Sequence, residues 1–221
     1  MTDSELKFWV FISYSQQDNG GQYANAQNVS SLGWGNWLHD ALKTFSIPAE
    51  FISQINSRGE LIPERIHPIF QDGLELSGDA NLSAAVRLAL EQSRYLVVIC
   101  SPRSAQSLHV NEVVRAFKQL GRGDHILPIV IAGEPHASDG SKAGVSAADE
   151  CFVPALRHTL RPDGTVETTR RAGKSIFVDA RHGFDKREIL ANDHRNAEAD
   201  LEMAKIQLIA EVIGEIGRAH V

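Results

Sequence analysis

Phe8-Trp9-Val10-Phe11-Ile12-Ser13-Tyr14-Ser15 decides how the rest of this 221-residue chain is read. Five consecutive apolar or aromatic residues are too uniform for a half-exposed strand, whose outward side chains alternate with polar ones. The run therefore predicts a strand buried on both faces, at the centre of a sheet. The chain from Ser15 to Gly35 is rich in Gln, Asn, Gly and Ser and has little apolar period, so it reads as a long loop with room for a short helix.

Working outward, Trp34, Trp37, Leu38, Ala41, Leu42 and Phe45 recur at three- and four-residue spacing, the stripe of a helix packed on a sheet. A second strand is expected at Ile66–Phe70, and Pro68 argues for an edge or a strand start. A helix from Leu82 to Leu90, a buried strand from Tyr95 to Cys100, a helix from Val110 to Leu120 closed by Gly121 and Gly123, and a strand from Ile126 to Ile131 follow. Strand and helix alternate, which argues for a parallel sheet covered on both faces. Beyond Glu134 the pattern loosens into a small-residue acidic stretch, expected to be mobile. Then come a hairpin turning at Pro162-Asp163-Gly164, a strand at Ser175–Val178 and a long helix from about Asn196 to Ile216. The expectation is one α/β domain over residues 1–221, with a core of about 7–217, a long loop at 15–35 and an insertion at about 134–173.

With 43% hydrophobic and 23% charged residues this is an ordinary globular composition, and a net charge of -6 gives no global reason to bind nucleic acid directly. The opening MTDSELKFWV carries acids and no basic leader, unlike a secretory signal. No window approaches the roughly 18 apolar residues of a membrane helix, so no membrane partner and a cytoplasmic address are expected. The two cysteines, Cys100 and Cys151, sit in unlike contexts and make no disulfide framework. The histidines show no metal spacing, so neither a metal nor a resident cofactor is expected.

In an open parallel sheet, ligands bind beyond the carboxyl ends of the strands. That directs attention to Ser13-Tyr14-Ser15, Asp72 to Asp79, Ser101 to Glu112, and Gly133 to His136. A dinucleotide glycine loop is poorly matched by Gly33-Trp34-Gly35, which does not follow a strand directly. A phosphate-receiver site is excluded because Ser13 and Tyr14 stand where its acids belong.

Phe11-Ile12-Ser13-Tyr14-Ser15 resembles the opening box of Toll/interleukin-1-receptor (TIR) domains, and Pro68-Ile69-Phe70-Gln71-Asp72 resembles their second. Ser101-Pro102 with Ser107-Leu108-His109-Val110-Asn111-Glu112 resembles the segment that bears the catalytic glutamate in NAD-cleaving members. Gly133-Glu134-Pro135 and Cys151–Arg157 are similar to the bacterial subgroup. The resemblance covers nearly the whole chain and implies a flavodoxin-like three-layer sandwich with a small hairpin insertion before the last strand. It also implies cleavage of the nicotinamide–ribose bond of NAD+, with NAD+ as substrate, a linear or a cyclic ADP-ribose product, and a role in bacterial antiphage signalling. Glu112 is then the catalytic candidate, and Ser13, Tyr14, Asp72, Ser77, His109 and Asn111 the substrate-binding ones. Other TIR domains are the implied partners, as homo-oligomer or filament.

One departure stands out. The family pattern puts an aromatic residue, commonly Trp, four residues before the glutamate. Here His109 takes the aromatic place and Val113 the glutamate's, so Glu112 comes one residue early, a rotation of about 100° on a helix. The alternative implied by that departure is a scaffold that associates through the same loops without turnover.

Overall fold

The computed structural model describes residues 6–19, 33–72, 82–140, 143–171, 177–181 and 194–214. β1 (Phe8–Ser13) pairs on one edge with β2 (Ile69–Asp72) and on the other with β3 (Ser93–Cys100). β4 (Ile126–Val130) lies beside β3, and β7 (Val178–Asp179) beside β4. All these pairings are parallel, and the five strands stand in the order β2-β1-β3-β4-β7. The second strand flanks the first on one side and the chain then crosses back to add the rest on the other, the doubly wound order expected.

Alternation along β1 divides the core. Val10 and Ile12 point to one face, against Trp34, Leu38 and Leu42 of α1 (Trp34–Thr44) and Leu201, Leu208 and Val212 of α5 (His194–Ile213). Phe11 points to the other face. There it meets Val86 and Leu90 of α2 (Ala84–Glu91), Val110, Val113 and Phe117 of α3 (Leu108–Gln119), and Leu156 of α4 (Pro154–Arg157). Each large side chain so buried contributes about 1.5–3 kcal/mol. The helices begin where the sequence offers acceptors for their first free N–H groups: Ser83 Oγ accepts from Val86 N at 3.3 Å and Ser107 Oγ from Val110 N at 3.2 Å. Gly121, at φ 77°, turns the chain out of α3.

Three expectations shift. The second strand starts at Ile69 rather than Ile66, because Pro68 has no N–H to give the ladder; its carbonyl instead accepts from Trp9 N at 2.9 Å just ahead of the pairing. Ser175 and Ile176 of the predicted last strand lie outside the described residues, and pairing is seen at Val178–Asp179. The final helix ends at Ile213, because Gly214 takes φ 77°.

The two ends of the acidic stretch are held by one side chain. Glu150 accepts hydrogen bonds from His136 N at 3.1 Å, Ser138 Oγ at 2.7 Å and Phe152 N at 2.9 Å. Burial pushes the Glu150 carboxyl up, but these bonds from Ser138 and Phe152 outweigh it and hold the group below its ordinary range. Past α4, β5 (His158–Leu160) and β6 (Val166–Arg171) form the expected antiparallel hairpin. Asp163 Oδ1 closes its turn by accepting from Thr165 N at 2.8 Å.

α1 reaches the sheet closely because of one glycine. A methyl group on Gly35 would lie 2.5 Å from the Tyr14 ring. That ring is fixed by hydrogen bonds to its hydroxyl from Asn19 at 3.3 Å and Gln71 at 3.0 Å. Overpacking of this kind typically costs about 1–3 kcal/mol. Gly35→Ala is therefore expected to unfold at lower urea than the parent by about that free energy, despite alanine's better helix propensity; an unchanged midpoint would show that the contact relaxes freely.

Candidate functional site

The carboxyl ends of β1 and β2 are in register, with Ser13 opposite Asp72. Ser13 shares a face with Phe11, and Asp72 with Phe70, so both side chains point to the layer that holds α3. The Ser107 cap starts α3 at Leu108 and delivers His109 to the same place, with Nε2 2.5 Å from Asp72 Oδ2 and both side chains almost wholly buried. A carboxylate only accepts, so Nε2 is the donor of this pair. His109 Nδ1 and Ser13 Oγ are both buried without a hydrogen-bond partner.

Tyr14 points to the opposite face. Its hydroxyl accepts from Asn19 and Gln71, whose Nε2 also reaches Asn36 Oδ1 at 2.8 Å, and its own hydrogen remains to be donated. Burial raises the Tyr14 pKa, Gln71 lowers it in part, and the Asp72 charge adds to the rise.

The α3 segment resolves differently for its two acidic and amide candidates. Glu112 is buried, and both its oxygens are taken by Arg115: Nε to Oε2 at 2.7 Å and Nη2 to Oε1 at 2.5 Å. Arg115 Nη1 then donates to the Gly164 carbonyl at 3.1 Å, so this ion pair pins the hairpin turn to the helix. Asn111 Oδ1 accepts from Ala155 N at 2.9 Å, at the start of α4. Val113 is fully buried in the core. The structure thus brings Ser13, Asp72 and His109 together, with Tyr14 beside them on the other face, while Glu112 and Asn111 engage the hairpin and α4. Ser77 lies outside the described residues, as does the loop beyond Asp72.

One group at this edge escaped the sequence reading. Asp18 sits in a short 3-10 turn, Gln16–Asp18, within the predicted loop, and is only 3% exposed. Its Oδ2 accepts from Ser101 Oγ at 2.7 Å, directly beyond the end of β3. Ser101 Oγ in turn accepts from Arg103 N at 3.1 Å and Ser104 N at 3.0 Å, and Arg103 Nη1 donates to the Gln17 carbonyl at 2.7 Å. Asp18 Oδ1 is buried with no partner. The carboxyl therefore bridges β1 and β3, the point at which the chain reverses direction across the sheet. The signal available in the sequence was its place five residues past Ser13. Cys100, by contrast, is core: burial drives its thiol far above the ordinary value. Among the described residues no group of three His, Cys, Asp or Glu side chains is placed to hold a metal, and no helix is long and apolar enough to cross a membrane.

Burial pushes the Asp18 carboxyl from its ordinary 3.8 up to about 6, with the Ser101 hydrogen bond and the Arg103 charge pulling the other way. A folded-state pKa above the unfolded one means that ionisation opposes folding. The penalty is absent below 3.8, grows as pH rises to about 6, and is constant above that at about 3 kcal/mol. Asp18→Asn is expected to be more stable than wild type by about 1–3 kcal/mol at pH 7.5, the advantage shrinking below pH 6 and vanishing near 3.8. Urea unfolding of both proteins across that range measures it, and a difference independent of pH would refute the assignment.

No protein-family model matches the sequence. A curated relative, "NAD(+) hydrolase ApTIR" of Actinoplanes sp. (strain ATCC 31044 / CBS 674.73 / SE50/110), is 28% identical over 138 residues, which is 61% of this chain and 19% of that protein. The match thus spans about a fifth of that relative's length. A solved structure described as the TIR domains of the activated Roq1 resistosome directly recognizing the pathogen effector XopQ aligns with a TM-score of 0.38 and 19% identity, over 62% of this chain and 65% of that one. An overlap that loose adds nothing to the assignment. The strand order and the parallel pairing of β1 with β2 agree with the TIR-type fold expected from the sequence, and the chain is similar to that TIR relative over 138 residues.

Proposed function

We propose that this chain is an NAD+ nucleosidase acting at the carboxyl edge of β1, β2 and α3. The observation that carries the reading is its kinship with a TIR protein named as an NAD(+) hydrolase. The convergence of Ser13, Asp72 and His109 in a largely buried polar corner supports it, since such a corner offers acceptors and donors shielded from water.

In this reading the bond between the distal ribose C1 and the nicotinamide nitrogen breaks, and its electron pair returns to the pyridinium ring, so nicotinamide leaves neutral and needs no acid. Water then bonds to C1 and releases one proton, giving ADP-ribose; capture by a group of the same nucleotide gives a cyclic product instead. The protein's part is to orient the ribose and stabilise positive charge on it. Glu112 is the carboxylate on α3 for that task. Tyr14, Asp72, Ser77, His109, Asn111 and Ser13 are the positions for holding substrate, and self-association of the domain, in bacterial defence signalling, is the setting.

A second reading has a specific observation behind it. Both Glu112 oxygens are held by Arg115, and Val113 stands in the core where the family bears its glutamate. That arrangement favours a domain that only associates with other TIR domains.

Concentrated wild type and Glu112→Gln are to be incubated with millimolar NAD+ and the nucleotides separated by chromatography. The expected outcome is turnover by wild type and a loss of about 100-fold or more in the variant. Intact NAD+ with wild type at every protein concentration, crowded or not, rejects the nucleosidase in favour of the scaffold. Equal turnover in both proteins retains the nucleosidase and removes Glu112 from it.

A further inference from the structure

Three polar atoms without partners, Ser13 Oγ, His109 Nδ1 and Asp18 Oδ1, are buried at one end of the sheet. Ser13 ends β1 on the α3 face. His109 reaches the same corner through Asp72. Asp18 approaches from the β1–β3 side, bound to Ser101 and close enough to Cys100, on the α3 face of β3, for its charge to raise that thiol. Buried polar groups are ordinarily satisfied, and one left open calls for an explanation such as a ligand. A carboxylate is the costliest group to leave so, because each unmade hydrogen bond forfeits a charge-assisted one.

Resting on the nucleosidase reading, we propose that Asp18 is a substrate-binding carboxylate of this cleft, and that its open oxygen accepts hydroxyl hydrogens of the distal ribose. The accounting of carboxylate oxygens supports it. Both of Glu112's are taken by Arg115, and Asp72 Oδ2 is taken by His109, whereas Asp18 binds Ser101 through Oδ2 and has Oδ1 to offer. A ribose presents adjacent hydroxyls that both donate and accept, which suits an open carboxylate oxygen at the same end of the sheet as the open Ser13 hydroxyl. The raised pKa agrees with a group whose ionised form lacks its full set of donors until substrate supplies them.

The test compares wild type with Asp18→Asn, in which the amide oxygen keeps an acceptor for Ser101 while the charge is gone. Two readouts are needed: NAD+ turnover, and the shift in unfolding temperature produced by millimolar ADP-ribose at pH 7.5. Asp18→Asn is expected to melt no lower than wild type, to lose about 100-fold or more in kcat/KM, and to lose the ADP-ribose shift. Wild-type turnover by the variant, or an undiminished shift, overturns the proposal and leaves the nucleosidase standing. If wild type does not cleave NAD+, the nucleosidase reading fails and the ADP-ribose shift alone decides. A shift present in wild type and absent in the variant supports Asp18 as a ribose ligand; no shift, or equal shifts, overturns it. Should Asp18→Asn fail to fold, Asp18→Ser takes its place with the same outcomes.

Discussion

β1 has a hydrogen-bonded neighbour on each edge and a layer of helices on each face, and Val10, Phe11 and Ile12 have no exposure at all. A strand so enclosed can carry nothing but apolar side chains until it ends, because any polar group within it lacks water and a partner alike. Polarity therefore arrives abruptly at Ser13, Tyr14 and Ser15. Since successive residues face opposite ways, those residues split the cleft: Ser13 joins Asp72 and His109 beneath α3, while Tyr14 joins Gln71 and Asn36 beneath α1. The two halves are joined by one backbone.

The strand–helix alternation could be read from the sequence because each central element is long, uniformly apolar and punctuated by Pro, Gly or Ser. What could not be read there depends on contacts between residues far apart in the chain. Asn111 is an ordinary helix residue until the structure shows it bonded to Ala155, and the acidic stretch ending at Glu150 looks unstructured until three backbone N–H groups and a hydroxyl are found on that one carboxylate. Asp18 lay in a run of Gln, Asn and Gly with no periodicity to recommend it. Its burial comes from β3 and the turn after it, more than eighty residues away in the chain.

α3 serves two clients from adjacent faces. His109 looks toward the ends of β1 and β2, while Glu112, three residues on, anchors Arg115 and through it the hairpin. Lys118 extends the same seam by donating to the His158 carbonyl at 3.1 Å. A displacement of the hairpin is thus felt by the helix that carries His109, which links the inserted segment mechanically to the cleft.

The strand order also bears on how the chain comes into being. β1 is synthesised first, yet its partners are β2, beginning at Ile69, and β3, beginning at Ser93. Until both have left the ribosome, Phe8 to Ile12 has no sheet to enter, and a short, uncharged, aromatic and β-branched stretch is the kind of segment that pairs with copies of itself. Loop closure over such separations slows folding further. The enclosure that makes this strand the heart of the finished domain leaves it an exposed apolar stretch while the chain is still incomplete.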